Sequence, residues 1–409
     1  MDFNDTPDEA AFRAEARAFL DANAVRKSES GSAPRRGGDP DELARAKEWQ
    51  ARKADAGLAC ITWPEKWGGR GGTMIQQVIY NEEEARYVVP GGYFLIGLGM
   101  CIPTLMAYAD EAALRRYVHP AVRGEEIWCQ LFSEPVAGSD LAGLKTRAVR
   151  DGDDWVVNGQ KVWTSGAHYA DFGIVVTRTD PTAPKHKGLT FFYLDMKSQG
   201  VEVRPIKQIS GSSNFNEVFF TDVRIPDRQR LGPVGEGWKV SLTTLMNERL
   251  AASEAPRPDF EDIFELARML ELDDEPAIAD SAVRRQLALW YVQAQGLKYT
   301  KFRTMTALSR GQTPGPESSI GKVVSAAKRQ DIASFGMDLM GMAGALTDPA
   351  LAPMHGLFQE ALLDAPGLRI AGGTDEVLRN IIAERVLGLP GDVRVDKDVP
   401  YNQIPTGRG

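Results

Sequence analysis

Cysteine and histidine are both scarce in this chain, and the scarcity excludes several classes of protein. The three cysteines, Cys60, Cys101 and Cys129, are odd in number, far apart and without C-x-x-C spacing. A disulfide scaffold is therefore not expected, and a reducing, cytoplasmic setting is. The four histidines, His119, His168, His186 and His355, are equally dispersed, so no metal-ligand cluster is visible. No apolar run reaches the roughly 18–20 residues that a membrane-spanning helix needs. The first residues are acidic, where a secretory signal would be basic and then apolar. An excess of positive charge is missing too, since 48 Lys and Arg face 56 Asp and Glu for a net charge of −8. Non-specific binding to nucleic acid or anionic membrane needs basic surface to displace counterions, so neither is expected. No G-x-G-x-x-G follows a strand-like segment, which leaves a nicotinamide-binding Rossmann unit without support.

What is present is enough for a large core: 409 residues, 43% of them hydrophobic, which predicts two or three domains or layers. The texture changes twice along the chain. Residues 1–127 read as a helical domain. In Asp8–Leu20, Phe12, Ala16, Phe19 and Leu20 recur three or four apart between charges, as an amphipathic helix requires. Residues 28–42, rich in Ser, Gly, Pro and charge, read as a surface loop, and Val89-Pro90-Gly91-Gly92 breaks the next helical pattern.

Over 128–232 the period falls from 3.6 to 2. Thr146–Arg150 and Trp155–Val157 flank the acidic glycine turn Asp151-Gly152-Asp153-Asp154, a hairpin signal. Phe172–Val176, Leu189–Leu194 and Glu217–Phe220 continue as short strands, predicting a small β-barrel or sandwich. Residues 233–390 return to helix-forming composition, interrupted by an acidic, proline-bearing stretch at 251–281 that looks inserted. Ser281–Leu308 and Ser318–Gly341 are long amphipathic candidates for a helical bundle. Residues 391–409, with Pro400 and Pro405, read as a tail. The order helix, strand, helix predicts an α+β protein and argues against a doubly wound fold, whose elements alternate.

Four segments carry a resemblance. Trp63-Pro64-Glu65-Lys66-Trp67-Gly68-Gly69, Phe132-Ser133-Glu134-Pro135-Val136-Ala137-Gly138-Ser139-Asp140, Asn158-Gly159-Gln160-Lys161-Val162-Trp163-Thr164-Ser165-Gly166 and Gly373-Thr374-Asp375-Glu376 occur in that order. Taken singly, each has a plain reading: a turn or helix cap for Ser-Glu-Pro, a packed aromatic for Trp163, a loop with positive φ for the last. Together they resemble the acyl-CoA dehydrogenase family over nearly the whole chain. The resemblance implies a helical domain, a middle β-domain and a C-terminal four-helix bundle, with FAD as cofactor. An isoalloxazine ring needs an apolar surface to stack on and a few fixed hydrogen bonds at its edge. The resemblance puts Leu131, Phe132 and Ser133 along the pyrimidine side, with Ser133 hydrogen-bonding the ring. Trp163 would cover a ring face, with Thr164 beside it, and Ser165 would reach the N5 region. Ser139 would lie beside ligand phosphate or pantetheine, contacting cofactor or substrate, while Thr374 and Glu376 meet the cofactor from the C-terminal domain.

The implied reaction is α,β-dehydrogenation of an acyl-CoA thioester. Many members carry the catalytic base in Y-E-G-T; here the matching residues are Ala371-Gly372-Gly373-Thr374, without the glutamate. A subgroup, including long-chain and isovaleryl-CoA dehydrogenases, carries it in an E-R pair on an earlier helix, and this chain has Asn247-Glu248-Arg249-Leu250 there. Alone, Glu248-Arg249 reads as a solvated helix face. Absence at one site with presence at the other favours Glu248 as base, raised in basicity by desolvation. Arg249 would brace the site and the substrate, and the Gly372 backbone N–H would polarise the thioester carbonyl. Two departures stand out: the family's R-x-x-F-G segment has no clear counterpart near 251–281, and its Q-x-x-G-G-x-G reads Asp338-Leu339-Met340-Gly341-Met342-Ala343-Gly344. The partners implied are acyl-CoA, electron-transferring flavoprotein as electron acceptor, and a second copy in a homodimer or homotetramer. The alternatives are a flavin oxidase or monooxygenase of the same superfamily, or a non-catalytic acyl-CoA-binding partner subunit.

Overall fold

The computed structural model describes residues 5–27, 40–251, 257–309, 315–393 and 395–405. Most of the loop expected at 28–42, and positions 252–256 of the acidic stretch, lie outside the described residues. The chain forms two compact units, residues 1–252 with 393–409, and residues 253–392.

The first unit opens with helix α1 (Pro7–Asn23), begun by a capping box in which Thr6 and Glu9 satisfy each other's backbone N–H groups. Its buried residues, Phe12, Ala16 and Leu20, repeat every fourth position, as the sequence predicts. The short strand β1 (Val25–Arg26) pairs with β2 (Tyr87–Val88), and between them lie α2 (Pro40–Asp55) and α3 (Met74–Glu84). Glu83 at the end of α3 is buried and held by Arg13, Arg17 and Arg86. Helices α4 (Ile102–Tyr108) and α5 (Glu111–Val122) lead into the sheet.

The sheet contains β3 (Trp128–Leu131), β4 (Arg147–Asp151), β5 (Asp154–Ser165), β6 (Phe172–Arg178), β7 (Leu189–Asp195), β8 (Val201–Ile206), β9 (Phe215–Pro226) and β10 (Arg230–Leu231). Its order is β10-β7-β6-β4-β5-β9-β8, with β3 parallel to β6. The expected hairpin is the β4–β5 pair, turning at Gly152. Strand β6 is buried along its whole length because it feeds two cores at once. Phe172, Ile174 and Val176 join a cluster with helical residues such as Leu105, Leu114 and Val118, while Val175 joins Trp155, Val157, Val218 and Ile225. Strand β7 divides in the same way, Phe191 and Tyr193 against Phe192 and Leu194.

Helix α6 (Gly237–Ala251) packs with this first unit, although its composition alone assigns it to the C-terminal helices. Two hydroxyl pairs fix it there, Thr104 Oγ1 to Thr244 Oγ1 at 2.9 Å and Tyr108 OH to Thr243 Oγ1 at 2.9 Å. Residues 395–405, read from sequence as part of a tail, also join the first unit.

The second unit contains α7 (Phe260–Met269), the ribbon β11 (Glu271–Leu272) and β12 (Glu275–Pro276), then α8 (Ser281–Ser309), α9 (Ser318–Met340), α10 (Leu357–Leu368) and α11 (Asp375–Arg385). The acidic stretch is folded where it is described. Ile263, Leu266 and Ala267 of α7 are buried with Val283, Leu287, Trp290 and Ile332 of α8 and α9. Its acidic residues serve caps and turns: Asp259 caps α7, and Asp273 and Asp274 turn the ribbon at positive φ.

Candidate functional site

Glu134 is the anchor of the Ser133–Asp140 segment. Its carboxylate accepts hydrogen bonds from the backbone N–H groups of Lys145 (2.6 Å) and Thr146 (2.9 Å) and from Lys161 Nζ (2.8 Å). Burial alone pushes a carboxyl pKa up, but the Lys161 charge and these donors hold Glu134 below its ordinary value. Lys161 Nζ also donates to Phe132 O at 3.0 Å, and Val162 N donates to Ser133 O at 2.8 Å. Two of the sequence segments are therefore stitched together by buried bonds. The reading of the sequence gave neither Glu134 nor Lys161 a role. A signal existed for Lys161, which sits in the inward row of β5 with Trp155 and Val157.

Gly159 explains the Asn-Gly pair of the same segment. A Cβ there would stand 2.7 Å from Thr146 Cα, so only glycine lets β4 and β5 approach at this point. On these anchors the turn presents Pro135, Val136, Gly138 and Ser139 outward, all exposed, with Ser133 half-buried behind them. Leu131 and Phe132 are buried, Phe132 in edge contact with Phe191 at 5.7 Å.

The pairing of β5 with β9 shifts register between Lys161 and Thr164, and Trp163 lies in that irregularity with φ 60°. A bulge re-aims the side chain it carries. Trp163 is 58% exposed, its ring meeting Phe215 edge-on at 6.1 Å. Beside it Thr164 is buried, and its Oγ1 has no hydrogen-bond partner among the described residues. Ser165 is half-buried. An aromatic plate held outward by strained backbone, next to the buried unpartnered hydroxyl of Thr164 and the half-buried Ser165, fits a flat heteroaromatic ligand.

On α6 Glu248 is half-buried, one turn beyond the buried Thr244 and on the same face. Arg249 follows on the helix, its side chain outside the described residues. These residues all belong to the first unit.

Gly372, Thr374 and Glu376 belong to the second unit, in and after the loop joining α10 to α11. Thr374 caps α11 by accepting from Val377 N at 3.2 Å, and Glu376 is exposed in its first turn. Hydrogen bonds from its own backbone N–H and from the Thr374 hydroxyl hold Glu376 below its ordinary pKa. Gly372 has φ 65°. The loop is tied at both ends. Arg369 Nε donates to Asp375 Oδ2 at 2.7 Å, Asp375 N donates to Arg369 O at 3.1 Å, and Lys322 Nζ donates to Gly373 O at 2.5 Å. Gln330, Pro366, Arg369, Ile370, Thr374, Asp375 and Glu376 line a shallow recess of about 320 Å³ in this unit. Neither Arg369 nor Lys322 was visible as a loop brace in the sequence. Among the described residues no His, Cys, Asp and Glu cluster could hold a metal, and no helix is long and apolar enough to cross a membrane.

Comparison with known proteins gives these arrangements a family. The acyl-CoA dehydrogenase N-terminal domain matches residues 6–125, the middle domain residues 129–223 and the C-terminal domain residues 235–387. The chain is 36% identical over 400 residues to acyl-CoA dehydrogenase IpdE1 of Mycobacterium tuberculosis, covering 94% of this chain and 98% of that protein. It is 38% identical over 343 residues to acyl-CoA dehydrogenase FadE34 of the same organism, covering 83% of this chain but only 46% of that longer protein. A solved structure, the Tcur3481-Tcur3483 steroid ACAD, superposes with a TM-score of 0.80 at 27% identity, covering 96% of this chain and 100% of the other. The chain belongs to the acyl-CoA dehydrogenase family and is an FAD-binding oxidoreductase.

Proposed function

We propose that this protein desaturates an acyl-CoA thioester between its α and β carbons, with Glu248 as the base that removes the α proton. The observation that carries this reading is the paired substitution: a glutamate at 248 on α6, and glycine at 372 where many relatives place theirs. The half-buried position of Glu248 beyond the Thr244 anchor supports it, because a base must be both fixed and partly withdrawn from water. FAD, when bound, supplies the acceptor for the β hydride. Trp163, Ser165, Ser133 and Ser139 fit such a group by exposure and chemistry, and are the residues we assign to hold it, with Leu131, Phe132, Thr164, Thr374 and Glu376. The Gly372 N–H polarises the thioester carbonyl, a role that needs backbone and no side chain. The ties from Arg369, Asp375 and Lys322 are what keep that N–H in place. Arg249 is the residue we assign to brace the site and the substrate.

For substrate we propose a bulky, polycyclic acyl-CoA, by extension from the steroid dehydrogenase that superposes on the chain. Electrons then leave to an electron-transferring flavoprotein, and the chain assembles as a homodimer or homotetramer. The test is anaerobic flavin bleaching across a panel of straight-chain, branched and steroid side-chain CoA thioesters. Wild type should bleach with at least one, most completely with a steroid thioester. Glu248→Gln should retain FAD and lose the bleaching. Retained bleaching in that variant removes Glu248 from the mechanism, and rapid peroxide release in air would make the protein an oxidase.

A further inference from the structure

The Gly138–Leu144 turn is bound from an unexpected direction, by the last described residues of the chain. Arg178, at the end of β6, is 4% exposed. Its guanidinium donates to Ala142 O at 2.5 Å, Leu144 O at 3.1 Å and Lys185 O at 3.2 Å. The carbonyl left between those two loop acceptors, Gly143 O, accepts the hydroxyl of Tyr401 at 3.0 Å. Three consecutive carbonyls are thus fixed by two side chains. The same Tyr401 ring covers the guanidinium, 3.5 Å from its carbon to the ring centroid. A buried cation whose hydrogen bonds go to carbonyls gains from such a cover, because removal of water strengthens the charge–quadrupole attraction.

The C-terminal segment is itself docked on backbone. Tyr401 N donates to Ala183 O and Asn402 N to Pro181 O, both at 2.9 Å, and Pro400 bridges Pro184. A second link runs along the other side of the turn. Lys185 Nζ reaches Asp396 Oδ2 at 2.5 Å and both oxygens of Asp140 at 3.1 Å. Ser139, which immediately precedes Asp140, is exposed.

We infer that residues 396–402 are a positioning strap for the Ser139 turn: through Tyr401 and Asp396 they set its geometry toward the diphosphate of a bound ligand. FAD and coenzyme A share that diphosphate chemistry. The inference rests on the proposed function for the role of Ser139, but the strap itself is defined by the contacts above. Tyr401 and Asp396 are positioning residues, acting through Gly143, Arg178 and Lys185.

The experiment compares the holoenzyme with Tyr401→Phe, Tyr401→Leu and Asp396→Asn in three measurements. These are hydrogen exchange over residues 140–146, flavin released on dialysis, and the acyl-CoA dissociation constant from flavin spectral perturbation. Tyr401→Phe keeps the ring over Arg178 and removes one hydrogen bond, so it guards against a variant that simply misfolds. Exchange over 140–146 should rise in the order wild type, Phe, Leu. Affinity for FAD, acyl-CoA or both should fall about threefold to tenfold in Tyr401→Leu, as expected for one or two lost polar contacts. In steady-state kinetics, a fourth measurement, the loss should appear in KM rather than kcat. The FAD arm and the acyl-CoA arm tell which diphosphate the turn meets. Unchanged exchange in Tyr401→Leu overturns the strap. Raised exchange with unchanged affinity for both ligands overturns its positioning role. A wild-type protein that takes up no FAD overturns the proposed function instead, and the exchange data still decide the strap.

Discussion

The Glu134 carboxylate and the Lys161 ammonium lie 2.8 Å apart with 3% and 0% of their side chains exposed, and this pair joins two segments 27 residues apart. Each partner also serves backbone: Lys161 donates to Phe132 O, and Glu134 accepts from Lys145 and Thr146. The pair is therefore a fixed post behind the outward turn of 135–139. Removing one partner leaves a buried charge uncompensated, which costs about 3–5 kcal/mol. Glu134→Gln and Lys161→Met should each destabilise the protein on that scale in urea unfolding. The double variant should lose less than the sum of the two, since it strands no charge. Additive losses would mean the two side chains do not act as a pair.

Asp227 gives the sheet an acid-sensitive corner. Its carboxylate accepts from Arg230 Nε at 2.9 Å and from Trp155 Nε1 at 2.7 Å, and these bonds lower its pKa to about 2. A depressed carboxyl contributes stability that is complete above its unfolded value and is lost as pH falls toward the folded one. Asp227→Asn should lower Tm at pH 6, and the gap to wild type should close as pH falls from about 4 toward 2. Fluorescence of the buried Trp155 offers a local probe. A gap that widens on acidification would contradict the assignment.

The strands and the first helix were legible because their signal is local. The runs of β-branched and aromatic residues at Phe172–Val176 and Leu189–Leu194 mark strands without knowledge of the partner strand, and the fourfold spacing of Phe12, Ala16 and Leu20 marks a helix without knowledge of the core it meets. Long-range polar contacts were not legible. Nothing near Arg178 announces Tyr401, 223 residues later, and a proline-bearing end reads as a tail until its backbone finds Ala183 and Pro181. Helix α6 has the composition of the helices after it, and its place in the first unit rests on distant contacts: Val240 in that unit's core and the hydroxyl pairs of Thr243 and Thr244 with α4. For the candidate site, the turn and Trp163 could be named from sequence. The buried pair behind the turn and the strain under Trp163 could not, because the first depends on β5 meeting the 132–134 segment and the second on the register of β5 against β9.

The cysteines make a chemical prediction. Cys60, Cys101 and Cys129 are free and buried, and burial pushes the thiols of Cys60 and Cys129 up to about 12 and that of Cys101 well above its ordinary value. Thiolate is the reactive form, so all three should resist a maleimide at pH 8 in the native protein. They should label after denaturation, three per chain. Rapid native labelling, located by peptide mass, would show that the segment around that cysteine opens.

Trp163 permits a test that separates backbone strain from ring chemistry. A bulky residue at φ 60° is uncommon, and the left-handed region costs a non-glycine residue about 1–2 kcal/mol. Trp163→Ala and Trp163→Gly both delete the exposed ring and its edge contact with Phe215. They differ in whether the backbone conformation remains costly, though glycine also gives the unfolded chain more freedom, which takes back part of the gain. If the strain is real, Trp163→Gly should be no less stable than Trp163→Ala, and the more stable of the two by up to about 1 kcal/mol. Flavin retention should fall in both variants by a similar factor, because both lose the same stacking surface. A glycine variant clearly less stable than the alanine variant would mean that position 163 carries no strain. Full flavin retention in both would remove Trp163 from the cofactor site and leave its exposure unexplained.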